Sequence, residues 1–222
     1  MCIRDRAESG ALYAPTTVQE IASIAHEHGL AVHMDGARFA NAVAALRISP
    51  AEASWKAGVD VLSFGGTKNG CWCAEAIVFF DREKAADFAF NHKRAGQLFS
   101  KSRFVSAQFD AYLADGLWLS LAGHANAMAD ALRTGIAAST NARASWPTAA
   151  NEVFAVLKRS AAERARAQGA LFYDWHVGGD TPVGEDEVLV RLVASWSTTQ
   201  EEVDSFIPVS YTHLRAHETG RN

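Results

Sequence analysis

Apolar runs that end in polar or glycine residues alternate with helix-like periodicity along the first 80 residues. Two buried strands are predicted, one ending at Asp35 and one near Phe64, from the apolar positions Leu30, Val32, Met34, Val59, Val61, Leu62 and Phe64. Residues 76–80 are apolar and β-rich and predict a third strand. Helical pattern separates the first two strands, so we expect a mainly parallel sheet with crossover helices.

Capping residues mark where the helices of this part should begin. Thr17 and Glu20 form a capping-box pattern, and Ser49 with Glu52 forms another around Pro50. The first helix should bury Val18, Ile21, Ala22 and Ile24 and end at Gly29, and the second should end at Gly58. Asp81 should cap a further helix from about residue 82.

The second half of the chain has a different order of elements. Residues 104–138 are helical in pattern, residues 152–157, 171–175 and 188–194 predict strands, and a helix with Ala161, Ala165 and Arg166 separates the first two. Thr199 and Glu202 should cap a final helix. This order indicates a small α+β lobe beside the main sheet.

Lys68 and Asp35 are the candidate chemical groups of the first half. Lys68 follows the second strand in a turn with Gly65, Gly66 and Gly70, and Asp35 ends the first strand. Ligands of open α/β sheets bind at the carboxyl ends of strands, and an amine with a nearby acid suits pyridoxal phosphate (PLP): a lysine Schiff base and a partner for the pyridinium nitrogen. For the lysine turn alone, a solvated loop lysine is an equally good interpretation.

Composition narrows the function classes. The chain has 222 residues, is 49% hydrophobic and carries a net charge of −4, so a sizeable core is expected and neither nucleic acid nor an anionic membrane is an expected partner. No run of about 18 apolar residues predicts a membrane span. Cys2, Cys71 and Cys73 are expected to be reduced thiols in a cytoplasm, and no metal site is predicted.

The two ends are unusual. Residues 1–6 and 208–222 resemble translated sequencing-adapter DNA and are expected to be a non-native leader and tail. Residues 7–207 are then predicted to be a fragment of a longer protein. The fragment opens almost directly on a helix, without the glycine-rich loop that should hold the cofactor phosphate.

Five motifs resemble the low-specificity L-threonine aldolases of the β-eliminating lyase group: HMDGARFANA at 33–42, DVLSFGGTKNG at 60–70, KRAGQLFSKSRF at 93–104, HANAMA at 124–129 and VRLVASW at 190–196. The first two motifs match in residue type, order and spacing. The resemblance implies an α/β fold of the aspartate-aminotransferase type (PLP fold type I), with a partial large lobe and a small α+β lobe. It implies that residues 7–123 are the C-terminal part of a PLP-binding large domain and residues 124–207 a small α+β domain, and that the full-length family forms homo-oligomers, dimers or tetramers. Because the N-terminal portion of the family would be missing, the chain is expected to expose apolar surface and to be poorly soluble alone.

The resemblance assigns roles to individual residues. Lys68 is similar to the lysine that binds PLP covalently, Asp35 to the partner of the pyridine nitrogen, Arg38 to an arginine at the cofactor and substrate carboxylate, and Arg191 to the small-lobe arginine that binds the α-carboxylate. A guanidinium suits a carboxylate because it donates two parallel hydrogen bonds. Thr67 would contact the cofactor phosphate, although a local turn hydrogen bond explains it equally well.

Packing or capping roles are favoured for four other residues, His33, His92, His124 and Trp72; His33 is expected to support Asp35 and Trp72 to fill core. The implied activity is PLP-dependent retro-aldol cleavage of L-threonine or L-allo-threonine to glycine and an aldehyde. Two alternatives stay open: another fold type I reaction, such as β-elimination or transamination, and an inactive partial polypeptide.

Overall fold

Two four-stranded sheets and seven α-helices make up the computed structural model, which describes residues 1–4, 9–176 and 181–211, with side chains as far as Ile207. In chain order the elements are β1 (Cys2–Arg4), α1 (Pro15–Glu27), β2 (His33–Gly36), α2 (Phe39–Leu46), β3 (Val61–Gly65), β4 (Glu75–Phe79), α3 (Phe88–Arg94), α4 (Arg103–Leu113), α5 (Leu117–Ala137), β5 (Ala142–Ala144), β6 (Glu152–Lys158), α6 (Arg159–Ala167), β7 (Tyr173–Asp174), β8 (Glu187–Val193) and α7 (Gln200–Tyr211).

The first sheet has the strand order β1-β2-β3-β4. Strands β1, β2 and β3 run parallel, and β4 is antiparallel to β3. Asp35 is opposite Ser63 in the register of β2 and β3. Because these two strands are parallel, their carboxyl ends lie at the same edge of the sheet, as the sequence predicts. Residues 2–4, which were expected to belong to a non-native leader, form β1; their non-native origin stays a prediction.

The second sheet has the order β5-β6-β8-β7, with every pair antiparallel. The α+β character of this lobe is confirmed. Strand β5 was not predicted, because three residues following a helix are too few to show alternation. Strand β7 is limited to Tyr173–Asp174, shorter than the predicted residues 171–175, and Leu171 is exposed before it.

Two hydrophobic cores lie on either side of the middle of α5. Ala122 packs in the core of the first sheet, whereas Ala129, Leu132 and Ile136 pack in the core of the second. One continuous helix of 21 residues therefore contributes to both lobes. The predicted boundary after residue 123 stays a prediction.

Phe64 is central to the first core. Its ring centroid lies 6.1 Å from Phe39, 5.8 Å from Phe109, 6.1 Å from Tyr112 and 5.6 Å from Trp118. These rings come from β3, α2, α4 and α5, so one aromatic cluster joins the sheet to the helices that cover it.

Several predicted helix starts need correction. The capping box at Thr17 is wrong: α1 begins at Pro15 without a side-chain cap, and Ile24 is exposed while Ala25 is buried. The capping box at Ser49 does form, with Ser49 N donating to Glu52 Oε2 (2.9 Å) and Glu52 N to Ser49 Oγ (3.2 Å), but turns and a short 3-10 helix follow it. The hydrogen bonds from Ser49 lower the pKa of Glu52.

Two other caps are confirmed. Asp81 Oδ1 accepts from Glu83 N (2.9 Å), although only a 3-10 turn follows directly and α3 begins at Phe88. Thr199 N donates to Glu202 Oε2 (2.8 Å) and Glu202 N to Thr199 Oγ1 (3.2 Å), at the start of α7. Within the described ranges, no helix has the length and apolar character needed to cross a membrane.

The carboxylate of Asp60, directly before β3, bonds to three groups from other parts of the chain. It accepts hydrogen bonds from Lys84 Nζ and from Val32 N (2.7 Å), and it pairs with His26 Nε2 (2.9 Å). Burial alone would raise the pKa of Asp60, but these hydrogen bonds together lower it to about 2, from an ordinary value of 3.8. The native state is therefore stabilised by ionised Asp60 above about pH 4, and this contribution is lost as the pH falls toward 2.

Asp60→Asn is expected to lower the free energy of unfolding at pH 7 by about 2 kcal/mol, because the neutral amide no longer attracts Lys84. Urea unfolding at a series of pH values measures this. The difference between the wild type and the variant should shrink as the pH falls below 4. A difference that stays constant with pH would contradict the assignment.

Candidate active site

Asp35 lies at the carboxyl end of β2 and is partly exposed. Its Oδ1 accepts from Ala37 N (3.2 Å), and its Oδ2 lies 4.0 Å from Arg4 Nε. The hydrogen bond to the chain that follows the strand fixes the carboxylate at the sheet edge. His33, on the same face of β2, bonds through Nε2 to Ser63 Oγ (2.8 Å), and its Nδ1 lies 3.2 Å from Cys2 Sγ, so its ring contacts both neighbouring strands.

Lys68 lies in a single 3-10 turn, Thr67–Asn69, directly after β3, and its side chain is exposed. Asn69, the last residue of this turn, is buried, and its side chain donates to Tyr112 Oη (2.6 Å) and to Trp118 O (2.8 Å). Burial raises the pKa of Tyr112 to about 12, against the effect of its hydrogen bond with Asn69, so its hydroxyl stays neutral. The buried side chain of Asn69 therefore anchors the turn that carries Lys68.

Glycines allow the two strand ends to touch. A Cβ atom on Gly65 would lie 3.0 Å from the Cα atom of Ala37 and 2.9 Å from Glu75 Oε2. A Cβ atom on Gly66 would lie 2.9 Å from both Ala74 O and Cys71 Sγ. The backbone that leads to Lys68 is thus in contact with the backbone that follows Asp35, and a larger residue at position 65 could not keep this contact.

Thr67 makes local contacts. Its Oγ1 accepts from Ala74 N (3.2 Å), and its backbone N–H donates to Glu75 Oε1 (3.4 Å). These bonds close the turn before β4, in agreement with the local interpretation of Thr67. Its predicted contact with a cofactor phosphate stays a prediction.

Arg38 and Arg191 come from different lobes and meet at one carboxylate. Arg38 Nη2 lies 3.1 Å from Glu152 Oε1, and Arg191 Nε lies 4.0 Å from the same oxygen. The Arg191 guanidinium carbon also lies 4.8 Å from the centroid of the Trp175 ring, a cation–π contact. Sequence reasoning missed Glu152, which it assigned only to the start of a strand. The available signal was a charged residue directly before the apolar run at residues 153–157.

Three other side chains that the sequence singled out are His92, His124 and Trp72, and the two histidines have structural contacts. His92 stacks on Phe88 with a centroid distance of 5.5 Å, and His124 Nε2 lies 2.7 Å from Thr198 O, so their predicted packing and capping roles are supported. Trp72 was expected to fill core, and this is wrong: it is 85% exposed, because it lies in the loop after the lysine turn.

All three cysteines are free thiols. Burial raises the pKa of Cys71, and the nearby Glu75 adds to this. Within the part of the chain that the structure describes, His, Cys, Asp and Glu side chains form no group of three or more that could hold a metal ion.

Comparison with known proteins identifies this arrangement. The sequence profile of the β-eliminating lyases matches residues 3–160, which include Asp35, Arg38, Lys68 and Glu152. The chain belongs to the β-eliminating lyase family. The match thus covers the first sheet, the lysine turn and the glutamate where the two arginines meet.

Named relatives of this β-eliminating lyase are similar over most of its length. A low-specificity L-threonine aldolase of Pseudomonas aeruginosa is 46% identical over 196 residues, which are 88% of this chain and 54% of that protein. Another, from a Pseudomonas species, is 43% identical over 201 residues, 90% of this chain and 56% of that protein. The chain therefore spans about half the length of these curated relatives.

The fold comparison agrees. The solved structure of a Leishmania major threonine aldolase superposes with a TM-score of 0.84 at 27% identity, covering 94% of this chain and 59% of that one. The predicted fold class is confirmed: the chain has the mixed α/β architecture of PLP fold type I enzymes, with part of the large lobe and a small α+β lobe.

Proposed function

We propose that the protein of which this chain is part is a PLP-dependent lyase that cleaves L-threonine and L-allo-threonine to glycine and acetaldehyde by a retro-aldol reaction. The observation that carries the proposal is that Arg38 and Arg191, from two lobes, meet at the buried carboxylate of Glu152. Arg38 lies three residues beyond Asp35, in the turn after β2. The names of the two similar Pseudomonas proteins support the choice of substrate.

The residues present fit PLP as the cofactor. An exposed lysine and a partly exposed carboxylate follow neighbouring parallel strands, and the glycine contact between Gly65 and Ala37 brings their backbones together. We propose that Lys68 binds the cofactor covalently, that Asp35 holds the proton on its ring nitrogen, and that Thr67 lies at its phosphate. When bound, PLP supplies an electron sink for the bond that breaks at the substrate Cα.

The two arginines would bind and orient the amino acid. A guanidinium donates two parallel hydrogen bonds to a carboxylate, and a second guanidinium from another lobe removes the remaining rotation of that group. Fixing the α-carboxylate in this way determines which bond at Cα points out of the ring plane and so which bond breaks. Arg38 and Arg191 therefore select the reaction as well as the substrate class.

Product analysis tests the proposal. The purified chain is incubated with PLP and with L-threonine, L-allo-threonine or L-serine, and glycine, acetaldehyde and 2-oxo acids are measured. Glycine and acetaldehyde in equal amounts from both threonine isomers are the expected products. Pyruvate from serine, or a 2-oxo acid from threonine, would favour the alternative of β-elimination or transamination. A chain that neither captures PLP nor turns over any of these substrates would support the partial, inactive polypeptide.

The proposal extends to assembly and location. Large apolar side chains are exposed in the loop after Lys68 and from the end of β4 to the first turn of α4, which supports burial of this surface in a homo-oligomer: Trp72, Phe90, Leu98, Phe99 and Phe104. A cytoplasmic location is supported by the three free thiols, since reducing compartments keep cysteines unpaired.

A further inference from the structure

Glu152 is a charged side chain in the interior. It begins β6, one of the two inner strands of the second sheet, and is 1% exposed. A buried carboxylate is strongly destabilising unless cations and hydrogen bonds surround it. Arg38 and Arg191 are two such cations, at 3.1 Å and 4.0 Å from Oε1.

The main chain around Glu152 is held from several sides. The carbonyl oxygen of Glu152 accepts a hydrogen bond from Arg133 Nη1 (3.0 Å), and Glu152 is opposite Val193 in the register of β6 and β8. The preceding residue, Asn151, donates through Nδ2 to Ala194 O (2.8 Å) and accepts at its carbonyl from Ala194 N (3.0 Å). The carboxylate therefore projects from a fixed backbone, whereas both arginines have long, flexible side chains.

The side chains of Glu152, Arg38 and Arg191 differ in how much of each is exposed to solvent. Glu152 is 1% exposed, Arg38 12% and Arg191 27%, so both guanidiniums lie further toward the surface than the carboxylate that they share. A carboxylate that arrives from the exposed side, such as the α-carboxylate of an amino acid, would therefore reach the two guanidiniums before it reaches Glu152.

We propose that Glu152 is a positioning residue, which sets Arg38 and Arg191 side by side across the two lobes as a receptor for one carboxylate. The assignment of that carboxylate to an amino-acid substrate rests on the proposed function. Without the negative charge, the two guanidiniums repel each other and turn toward solvent, and the receptor loses its geometry. The Trp175 ring limits Arg191 on one face only, so it cannot replace Glu152.

Glu152→Gln tests this role because it keeps the shape and removes the charge. In the chain loaded with PLP, glycine and methylamine are titrated separately, and the absorbance change of the cofactor is recorded. Methylamine has the amine but no carboxylate. The variant should bind glycine about tenfold more weakly and methylamine within about twofold of the wild type, because one charge-assisted contact is lost only for the carboxylate.

A second readout needs no cofactor. Acetate is added to the chain at constant ionic strength, with chloride as the replaced anion. The melting temperature of the wild type should rise by roughly 3 °C, and that of Glu152→Gln should not rise. The matched control is Glu187→Gln, which removes a carboxylate that pairs with Arg143 at the other end of the same sheet and should behave as the wild type in both assays.

The outcomes separate this inference from the proposed function. A wild type that responds to acetate but never to PLP and glycine would count against the proposed function alone. Glycine affinity or an acetate shift that is equal in the wild type and in a folded Glu152→Gln variant would overturn the positioning role. A wild type without any acetate shift would overturn it too. Circular dichroism of each variant checks that the fold is retained.

Discussion

Lys68→Ala is expected to abolish covalent capture of PLP and to lower the rate of threonine cleavage by about 10³-fold or more, since no other amine replaces the one that exchanges with the substrate. Capture is measured by reducing the chain with borohydride in the presence of PLP and mapping the modified peptide by mass spectrometry. The wild type should carry the phosphopyridoxyl group on the peptide that contains Lys68.

Lys56→Ala is the matched control for this experiment. Lys56 is also an exposed lysine in a 3-10 turn, but that turn precedes β3 and lies at the opposite end of the strand from Lys68. Its removal should change neither capture nor cleavage. Labelling that is spread over several lysines, or that persists in Lys68→Ala, would mean that the turn after β3 holds no special amine.

Phe64→Ala is expected to lower the free energy of unfolding by about 3–5 kcal/mol, because it opens a cavity among the four rings that pack on Phe64. Urea unfolding followed by fluorescence and by circular dichroism measures the loss. Phe64 precedes Gly65, and Gly65 contacts the chain that follows Asp35. The same variant should therefore capture less PLP than the wild type, even under conditions in which it is still folded.

Phe90→Ala provides the comparison, because it deletes the same side chain at a position that is 77% exposed. Its effect on the free energy of unfolding should stay within about 0.5 kcal/mol. Equal destabilisation by the two substitutions would show that Phe64 is not at the centre of the core.

The sequence predicted the features that depend on neighbouring residues. Asp35 and Lys68 were assigned to strand ends because an apolar run followed by glycines is a local pattern, and the parallel pairing of β2 and β3 follows from the helical pattern between them. The cap at Thr199 was predicted for the same reason: its partner, Glu202, is one helical turn away.

What the sequence could not predict depends on distant residues. The contact of Arg38 with Glu152 joins residues that are remote along the chain and belong to different lobes, so no periodicity indicates it. Trp72 was assigned to the core from its residue type alone, yet its loop leaves the ring in solvent. The Ser49–Glu52 box formed as predicted, but the residues after it pack as turns, since a cap begins a helix without determining its length.

Because α5 supplies side chains to both hydrophobic cores, neither lobe can melt without removing packing from the other. Because this 21-residue helix belongs to both cores, local unfolding that begins in the second sheet also destabilises the aromatic cluster around Phe64. Cooperativity between the lobes is thus built into a single secondary-structure element.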